Sequence, residues 1–412
     1  MDVMIENKVV PKLRFGGFTK DWSTITINEL VNRKILDKPL DGNHGNIHPK
    51  SSDYVEEGVP FIMANDINNG YIDLINCKKI RKSQAETLQK GFAKEADILL
   101  SHKATIGETA IVPKIDYEYI VLTPQVTYYR VINKQSYLNT FLYQVFKTNR
   151  FVKSMKVNAG GAGGVRLYIG ITEQRKLSVP NPSLPEQQKI ASFLSAVDEK
   201  LQQLKKKKDL LEEYKKGVMQ KIFSQELHFK DDNGNNYPDW EEKRIEDLFI
   251  VTRGTVLAIP KISPHKNDEC PYPVFSSQTK NNGIAGYYKD YLFEDAITWT
   301  TDGAQAGEVN LRKGKFYCTN VCGVLKSDEG YANLCIAEKL NRVSRRYVSY
   351  VGNPKLMNNV MAKIKISIPT SLDEHQKIAD FLSSLDSKIE LVNTQIDNTK
   401  AFKKGLLQQM FV

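Results

Sequence analysis

The chain has 412 residues, 41% of them apolar, and carries 58 Lys and Arg against 48 Asp and Glu, a formal net charge of +10. No apolar run approaches the roughly 18 residues of a membrane span, and the N-terminus carries acids and no signal-peptide core. Cysteines 77, 270, 318, 322 and 335 form no disulfide framework. The expectation is a soluble, cytoplasmic protein large enough for two core-bearing domains.

Residues 1–181 hold 25 Lys and Arg against 18 Asp and Glu, whereas residues 224–369 hold 19 against 18. A polyanion should therefore be held more firmly by the first segment, although charge alone raises a nucleic-acid reading only modestly. Phe18-Thr-Lys-Asp-Trp22 leads to Leu30. Short runs read as strands, among them Val59–Ile62, Ala110–Val112, Tyr119–Leu122 and Val126–Val131, separated by Gly-, Asn- and Asp-rich turns. Tyr137 to Met155 reads as a helix.

Ser183 to Phe223 returns 188 residues later as Ser371 to Phe411. Both copies open with Ser-x-x-Glu (Ser183/Glu186, Ser371/Glu374), the capping-box pattern of a helix start. Apolar residues then recur at steps of four and three: Ile190, Leu194, Val197, Leu201, Leu204, Leu211, Val218 and Ile222, then Ile378, Leu382, Leu385, Ile389, Val392, Ile396, Leu406 and Met410. A narrow seam of this period predicts two long helices paired as a coiled coil. Lys208, Lys215 and Thr399 interrupt the seam, which predicts looser pairing toward its far end.

Between the repeats, Tyr237-Pro-Asp-Trp240 leads to Leu248, so Trp-x7-Leu opens both large segments. Tyr272–Phe275 reads as a strand and Leu334–Tyr350 as a helix. Thr105-Ile-Gly107-Glu108 resembles Gln305-Ala-Gly307-Glu308, and Thr123-Pro-Gln-Val126 faces Thr319-Asn-Val-Cys322. The resulting plan is α+β: a domain at 1–181, a helix at 182–223, a similar domain at 224–369 and a helix at 370–412. If the helices run antiparallel, Val412 lies near the segment before Trp22, and the chain is nearly circular with pseudo-two-fold symmetry.

No catalytic constellation is complete. Gly160-Gly-Ala-Gly-Gly164 lacks the Gly-Lys-Ser/Thr of a phosphate loop and reads as a flexible loop. Cys318-x3-Cys322 lacks a second pair at zinc spacing and reads as two buried thiols. His44 and His48 in a Gly/Asn loop read as solvated or DNA-facing. Pro238-Asp239 with Glu241 and Lys243 crowds one turn, unlike nuclease carboxylates. The polar loops suit recognition better: His102, Lys103, Thr105 and Arg166 in the first domain, and Arg253, Ser276, Ser277, Gln278, Thr279, Lys280, Asn281, Thr300, Asp302 and Gln305 in the second are types that read base edges and phosphates. Each singly is more often a solvated loop residue.

Leu184-Pro-Glu-Gln-Gln-Lys-Ile-Ala-Ser-Phe-Leu194 and its second copy, together with Ile297-Thr-Trp-Thr-Thr-Asp-Gly-Ala304 and Thr319-Asn-Val-Cys-Gly323, make the chain resemble the specificity subunit of type I restriction-modification systems over essentially its full length. The second copy departs mildly, with Asp373 and His375 where the first has Pro185 and Gln187. The resemblance implies two target-recognition domains that each read half of a split DNA target, with the paired helices holding the halves apart. It implies partnership with two adenine N6-methyltransferase subunits that bind S-adenosylmethionine, and with endonuclease subunits that translocate DNA using ATP and magnesium. Cofactors are expected in those partners and none in this chain. A stand-alone DNA-modifying enzyme is the alternative, and a purely structural coiled-coil adaptor a third reading.

Overall fold

A computed structural model describes residues 10–68, 70–160, 167–277 and 280–411. The chain divides into two units, Met1–Lys205 with Gln395–Val412, and Lys206–Thr394. The boundary cuts both long helices, so each unit holds the start of one and the end of the other.

In the first unit, β1 (Ser23–Thr26) leads into α1 (Ile27–Asn32), followed by β2 (Leu40–Asp41), β3 (Val59–Ile62), β4 (Ile98–Lys103), β5 (Thr105–Ile111), β6 (Ile120–Leu122) and β7 (Val126–Tyr129). Helices α2 (Asn139–Phe146), α3 (Asn149–Val157) and α4 (Ile171–Lys176) precede β8 (Ser178–Asn181) and the long α5 (Leu184–Phe223). Strands β5, β4, β7 and β2 form one sheet in that order, β3 and β6 pair in parallel in a second, and β8 returns to pair antiparallel with β1. The stretch expected as one helix from Tyr137 to Met155 is two. Thr148 breaks it, because its hydroxyl accepts from the Phe151 amide at 3.2 Å and so caps α3 instead of continuing α2.

The second unit repeats the plan with β9 (Glu241–Arg244), α6 (Ile245–Leu248), β10 (Ile250–Arg253), β11 (Tyr272–Phe275), β12 (Ile284–Tyr288), β13 (Phe293–Thr300), β14 (Val309–Cys318), β15 (Cys322–Lys326), α7 (Leu334–Ser344), α8 (Asn358–Ala362), β16 (Lys365–Ile368) and α9 (Leu372–Met410). Here one six-stranded sheet runs β10-β15-β13-β14-β11-β12. The ten-residue β14 does the work that β5 and β6 share in the first unit. The parallel registers coincide: Ile62 pairs with Leu122, and Phe275 with Cys318.

Both cores close on helix ends. In the first unit Ile190 and Leu194, from the start of α5, are buried with Leu406, Met410 and Phe411, from the end of α9. In the second, Ile222 and Phe223 are buried with Ile378 and Leu382. Start against end within each unit makes the pairing antiparallel, and every seam residue is buried or half-buried. The aromatic ends are used alike: Phe411 lies edge-on to Trp22 and Phe223 to Trp240, both with centroids 6.4 Å apart. The Leu13 amide donates to the Gln409 carbonyl at 2.9 Å, so the start of the described chain meets its end as expected. Val412 itself lies outside the described residues.

Two expectations about the helices need correction. Glu186 does not close a capping box, because both its oxygens accept from the Arg14 guanidinium at 2.6 and 2.8 Å; Glu374 instead accepts from the Trp240 indole at 3.2 Å. The entry segment of each unit is thereby pinned to its helix start. Nor does Lys215 loosen it, although Lys208 and Thr399 bond only within their own helices. Lys215 crosses to Asp386 at 2.7 Å and to Glu338 at 3.2 Å, and its counterpart 188 residues on, Lys403, bonds Asp198. A lysine long enough to reach across finds a carboxylate where an apolar partner would otherwise stand.

Candidate nucleic-acid interface

The polar loops hang on the same backbone frame in both units. In the first, the His102 amide donates to the Gln125 carbonyl at 3.0 Å, Val126 to Thr123 at 3.1 Å, and Ile169 back to His102 at 3.1 Å. In the second, Thr301 donates to Val321 at 3.2 Å, Cys322 to Thr319 at 3.0 Å, and Leu356 to Thr301 at 2.9 Å. The sequence likenesses at 105–108 and 123–126 are therefore likenesses of place. Glycine marks the tightest point: a Cβ on Gly42 would stand 1.9 Å from the Leu122 carbonyl oxygen, and one on Gly254 1.9 Å from that of Cys318. Gly107, at the register shift inside β5, and Gly307, in the turn before β14, both adopt positive φ.

What fills the frame differs. In the first unit a notch of about 370 Å³ is lined by His44, His48, Tyr54, Lys103, Thr123 and Gln125. His44 bonds Asp41 at 2.9 Å, and buried Asp41 also pairs with Lys90. His48 lies against the Phe61 ring and bonds the Asn43 carbonyl. His102, singled out as a reader, is fully buried; its Nδ1 bonds the Ile169 carbonyl at 3.1 Å. Burial pushes its pKa down to about 4, so the ring is neutral, and it fixes the backbone beneath the notch without reaching its surface. Lys103 and Thr105 are exposed.

In the second unit Arg253 is exposed, Ser276 and Ser277 are half-buried, and Thr300 is buried. Asp302 accepts from the Thr301 hydroxyl at 2.7 Å and faces Lys355 at 3.6 Å, while Gln305 accepts from Arg345 at 2.9 Å. Asn281 takes a left-handed turn beside Asn282. Arg166, Gln278 and Thr279 lie outside the described residues, as does the side chain of Lys280. Arg312 had no signal in its Lys-Arg-rich run, yet it is central here. Its guanidinium stacks 3.9 Å from the Phe275 centroid, bonds Thr298 and the Asn282 carbonyl, and helps line a small cleft with Ser276, Thr300 and Glu308. Hydroxyl, amide, carboxylate and guanidinium groups on adjacent loops are what hydrogen-bonding to base edges and phosphates requires.

Among the described residues no three His, Cys, Asp or Glu converge as a metal site, and all five cysteines are free. Cys318 and Cys322 are buried neighbours across the β14–β15 turn. Among the described residues no helix is long and apolar enough to cross a membrane.

The sequence matches the family described as "Type I restriction modification DNA specificity domain" twice, over residues 19–213 and 237–400. It is 41% identical over 145 residues to a protein described as the N-terminus of a type I specificity subunit of Mycoplasma pneumoniae, covering 34% of this chain and 75% of that one. With the specificity subunit of the MjaIX type I restriction enzyme of Methanocaldococcus jannaschii it shares 27% identity over 340 residues, 76% of this chain and 74% of the other. The crystal structure of a type I restriction-modification S subunit from M. genitalium superposes with a TM-score of 0.67 over 98% of this chain and 99% of that one, at 16% identity, a likeness of fold. With each copy of the specificity domain spanning one sheet-bearing segment and most of the long helix that follows it, the chain belongs to the type I restriction-modification specificity subunits.

Proposed function

We propose that each unit reads one half of a bipartite DNA target, that α5 and α9 together set the spacing between the halves, and that the chain acts without catalytic chemistry of its own. The observation that carries this reading is the repeated backbone frame with unlike polar fillings: His44, His48 and Lys103 in one copy, Arg312, Asp302 and Gln305 in the other. A frame conserved within one chain while its contents differ suits two readers of two different sequences. Adenine methyltransferase and endonuclease subunits are the proposed partners, in a cytoplasmic complex. S-adenosylmethionine, ATP and magnesium would act in those partners.

Methylome sequencing of cells expressing this chain with a methyltransferase partner tests it, and one bipartite adenine-methylated motif is expected. Methyl transfer by the purified chain alone with S-adenosylmethionine would overturn the non-catalytic reading. Removing Leu201 to Lys207 and Ile389 to Gln395 together deletes a heptad from each helix, about 10 Å of rise. An unchanged motif and spacer in that variant would show that the helices do not set the distance.

A further inference from the structure

The first unit holds a cavity of about 330 Å³ between β5, α2, the start of α5 and the end of α9, lined by five lysines, Lys147, Lys205, Lys400, Lys403 and Lys404, against two acids, Glu108 and Asp198. One carboxylate carries most of the burden: Lys147 approaches Asp198 at 3.3 Å, Lys403 bonds the same group, and the Gln144 amide donates to it at 3.0 Å. The side chains of Lys403 and Lys147 are only 8% and 18% exposed. Two nearly buried lysines share one carboxylate, so one of them lacks a countercharge whenever both are protonated.

The second unit has an equivalent cavity of about 350 Å³, which shows that the excess is not a by-product of the fold. There Lys215, Lys216 and Arg342 are balanced by Glu212, Glu338 and Asp386. Across the 188-residue offset Asp198 becomes Asp386, Lys403 becomes Lys215 and Lys404 becomes Lys216, but Lys400 becomes Glu212 and Lys205 becomes Asn393. The size is kept and the excess positive charge is lost.

We propose that the first unit's cavity binds a phosphate-type oxyanion, held by Lys147, Lys400, Lys403 and Lys404, and that the second unit's cavity does not. Its volume equals roughly ten waters of liquid, room for a hydrated diphosphate. Ammonium groups bind phosphate as point charges without demanding a planar fork. The phosphate comes either from a free polyphosphate or nucleotide, or from a DNA backbone.

Binding should be linked to a proton. Around Lys403 stand Asp198 and Lys205 on α5, Lys147 just past the end of α2, Glu108 within β5, and Lys400 and Lys404 on α9 itself; Tyr143 accepts from Lys147, and the Tyr71 ring lies under Lys205. Burial first, then repulsion from Lys147, holds it down to about 7. An incoming anion favours its charged form, so binding above that pH takes up as much as one proton.

Calorimetric titration of the full-length protein with inorganic pyrophosphate, at pH 8 in buffers of unlike ionisation enthalpy, reads both effects. Saturable binding with proton uptake is expected, with the uptake fading at pH 6. Lys400→Glu, an exposed change that installs the residue of position 212, should weaken binding about tenfold or more through charge reversal at a partly screened site. Circular dichroism confirms that the variant is folded. Titrating the same two proteins with a random-sequence duplex at several salt concentrations separates the sources. A slope of log affinity against log salt reduced by about 0.9 in the variant assigns the phosphate to DNA, and an unchanged slope with lost pyrophosphate binding assigns it to a free anion. No saturable pyrophosphate binding and an unchanged slope, or pyrophosphate binding indifferent to Lys400→Glu, overturns the proposal.

Discussion

Asp198 and Asp386 occupy the same place in their helices, each accepts a lysine from the partner helix, and each is completed by a third charge from its own unit. The third charges have opposite sign: Lys147 in the first unit, Glu338 in the second. A buried ion pair contributes little net stability, since desolvation offsets attraction, but removing one partner is costly and a polar pair inside a seam fixes register. The two bridges therefore do one common job, holding antiparallel helices in phase. The third charge is free to vary, and it does.

The largest effect should fall where the units are alike. Gly42→Ala and Gly254→Ala each drive a Cβ to within 1.9 Å of a carbonyl oxygen on the neighbouring strand turn. Backbone has nowhere to retreat, so each should destabilise its own unit by more than about 4 kcal/mol. Hydrogen exchange read peptide by peptide checks this. Gly42→Ala should deprotect β2, β6 and β7, Gly254→Ala should deprotect β10, β14 and β15, and normal protection in either variant would show that the close approach is not required.

Where the units differ, the aspartates should separate them. Asp198→Ala leaves Lys147 and Lys403 facing each other without a carboxylate, and a loss of about 3 kcal/mol is expected. Asp386→Ala leaves Lys215 with Glu338 at 3.2 Å, and the Asp386 side chain is already 47% exposed, so about 1 kcal/mol or less is expected. Urea denaturation of the full chain followed by exchange in each unit measures both, and equal losses would mean that the third charge does not matter.

How much of this could be read beforehand follows from where the information lies. The repeat of Ser183–Phe223 as Ser371–Phe411 announced two helices, their seam and their antiparallel closure, because periodicity and duplication are properties of the string itself. The same string misplaced Glu186, since a local pattern offered a cap while Arg14, 172 positions away, claimed both oxygens. Lys215 read as an interruption because its partner Asp386 belongs to the other copy. His102 read as a surface reader because nothing local says that β4, β7 and the Ile169 carbonyl enclose it. Lys147 and Glu338 lie outside the repeat altogether, one just past the end of α2 and the other on α7, with no seam to compare. Arg312 was lost in the Lys-Arg-rich run Arg312-Lys-Gly-Lys315, and only strand pairing shows which cation faces Phe275.

The smallest expected effect is a matter of pH, and the equivalent lysines of the two units are shifted in opposite senses. Lys147 is pushed down by burial but raised above its ordinary value by Tyr143 and Asp198, so the more deeply buried Lys403 yields and is held down to about 7. An unfolded Lys403 keeps its proton to about its ordinary 10.5. Between those values the unfolded chain binds more protons than the folded one, so the first unit gains stability as pH rises, by an amount of order 1 kcal/mol between pH 7 and 9. Lys215 is pushed down by burial but raised further by Asp386 and Glu338, so its folded value exceeds 10.5. Its contribution is complete below that value and is lost only in more alkaline solution, so this lysine gives the second unit no gain over the same window. Exchange at pH 7 and 9, corrected for the intrinsic pH dependence of amide exchange, should show slower opening of the first unit at the higher pH and a smaller change in the second, where burial lowers Lys339. Lys403→Met, which keeps the buried stem and removes the titrating group, should remove most of the first unit's slope, whereas an undiminished slope in that variant would assign it to another group.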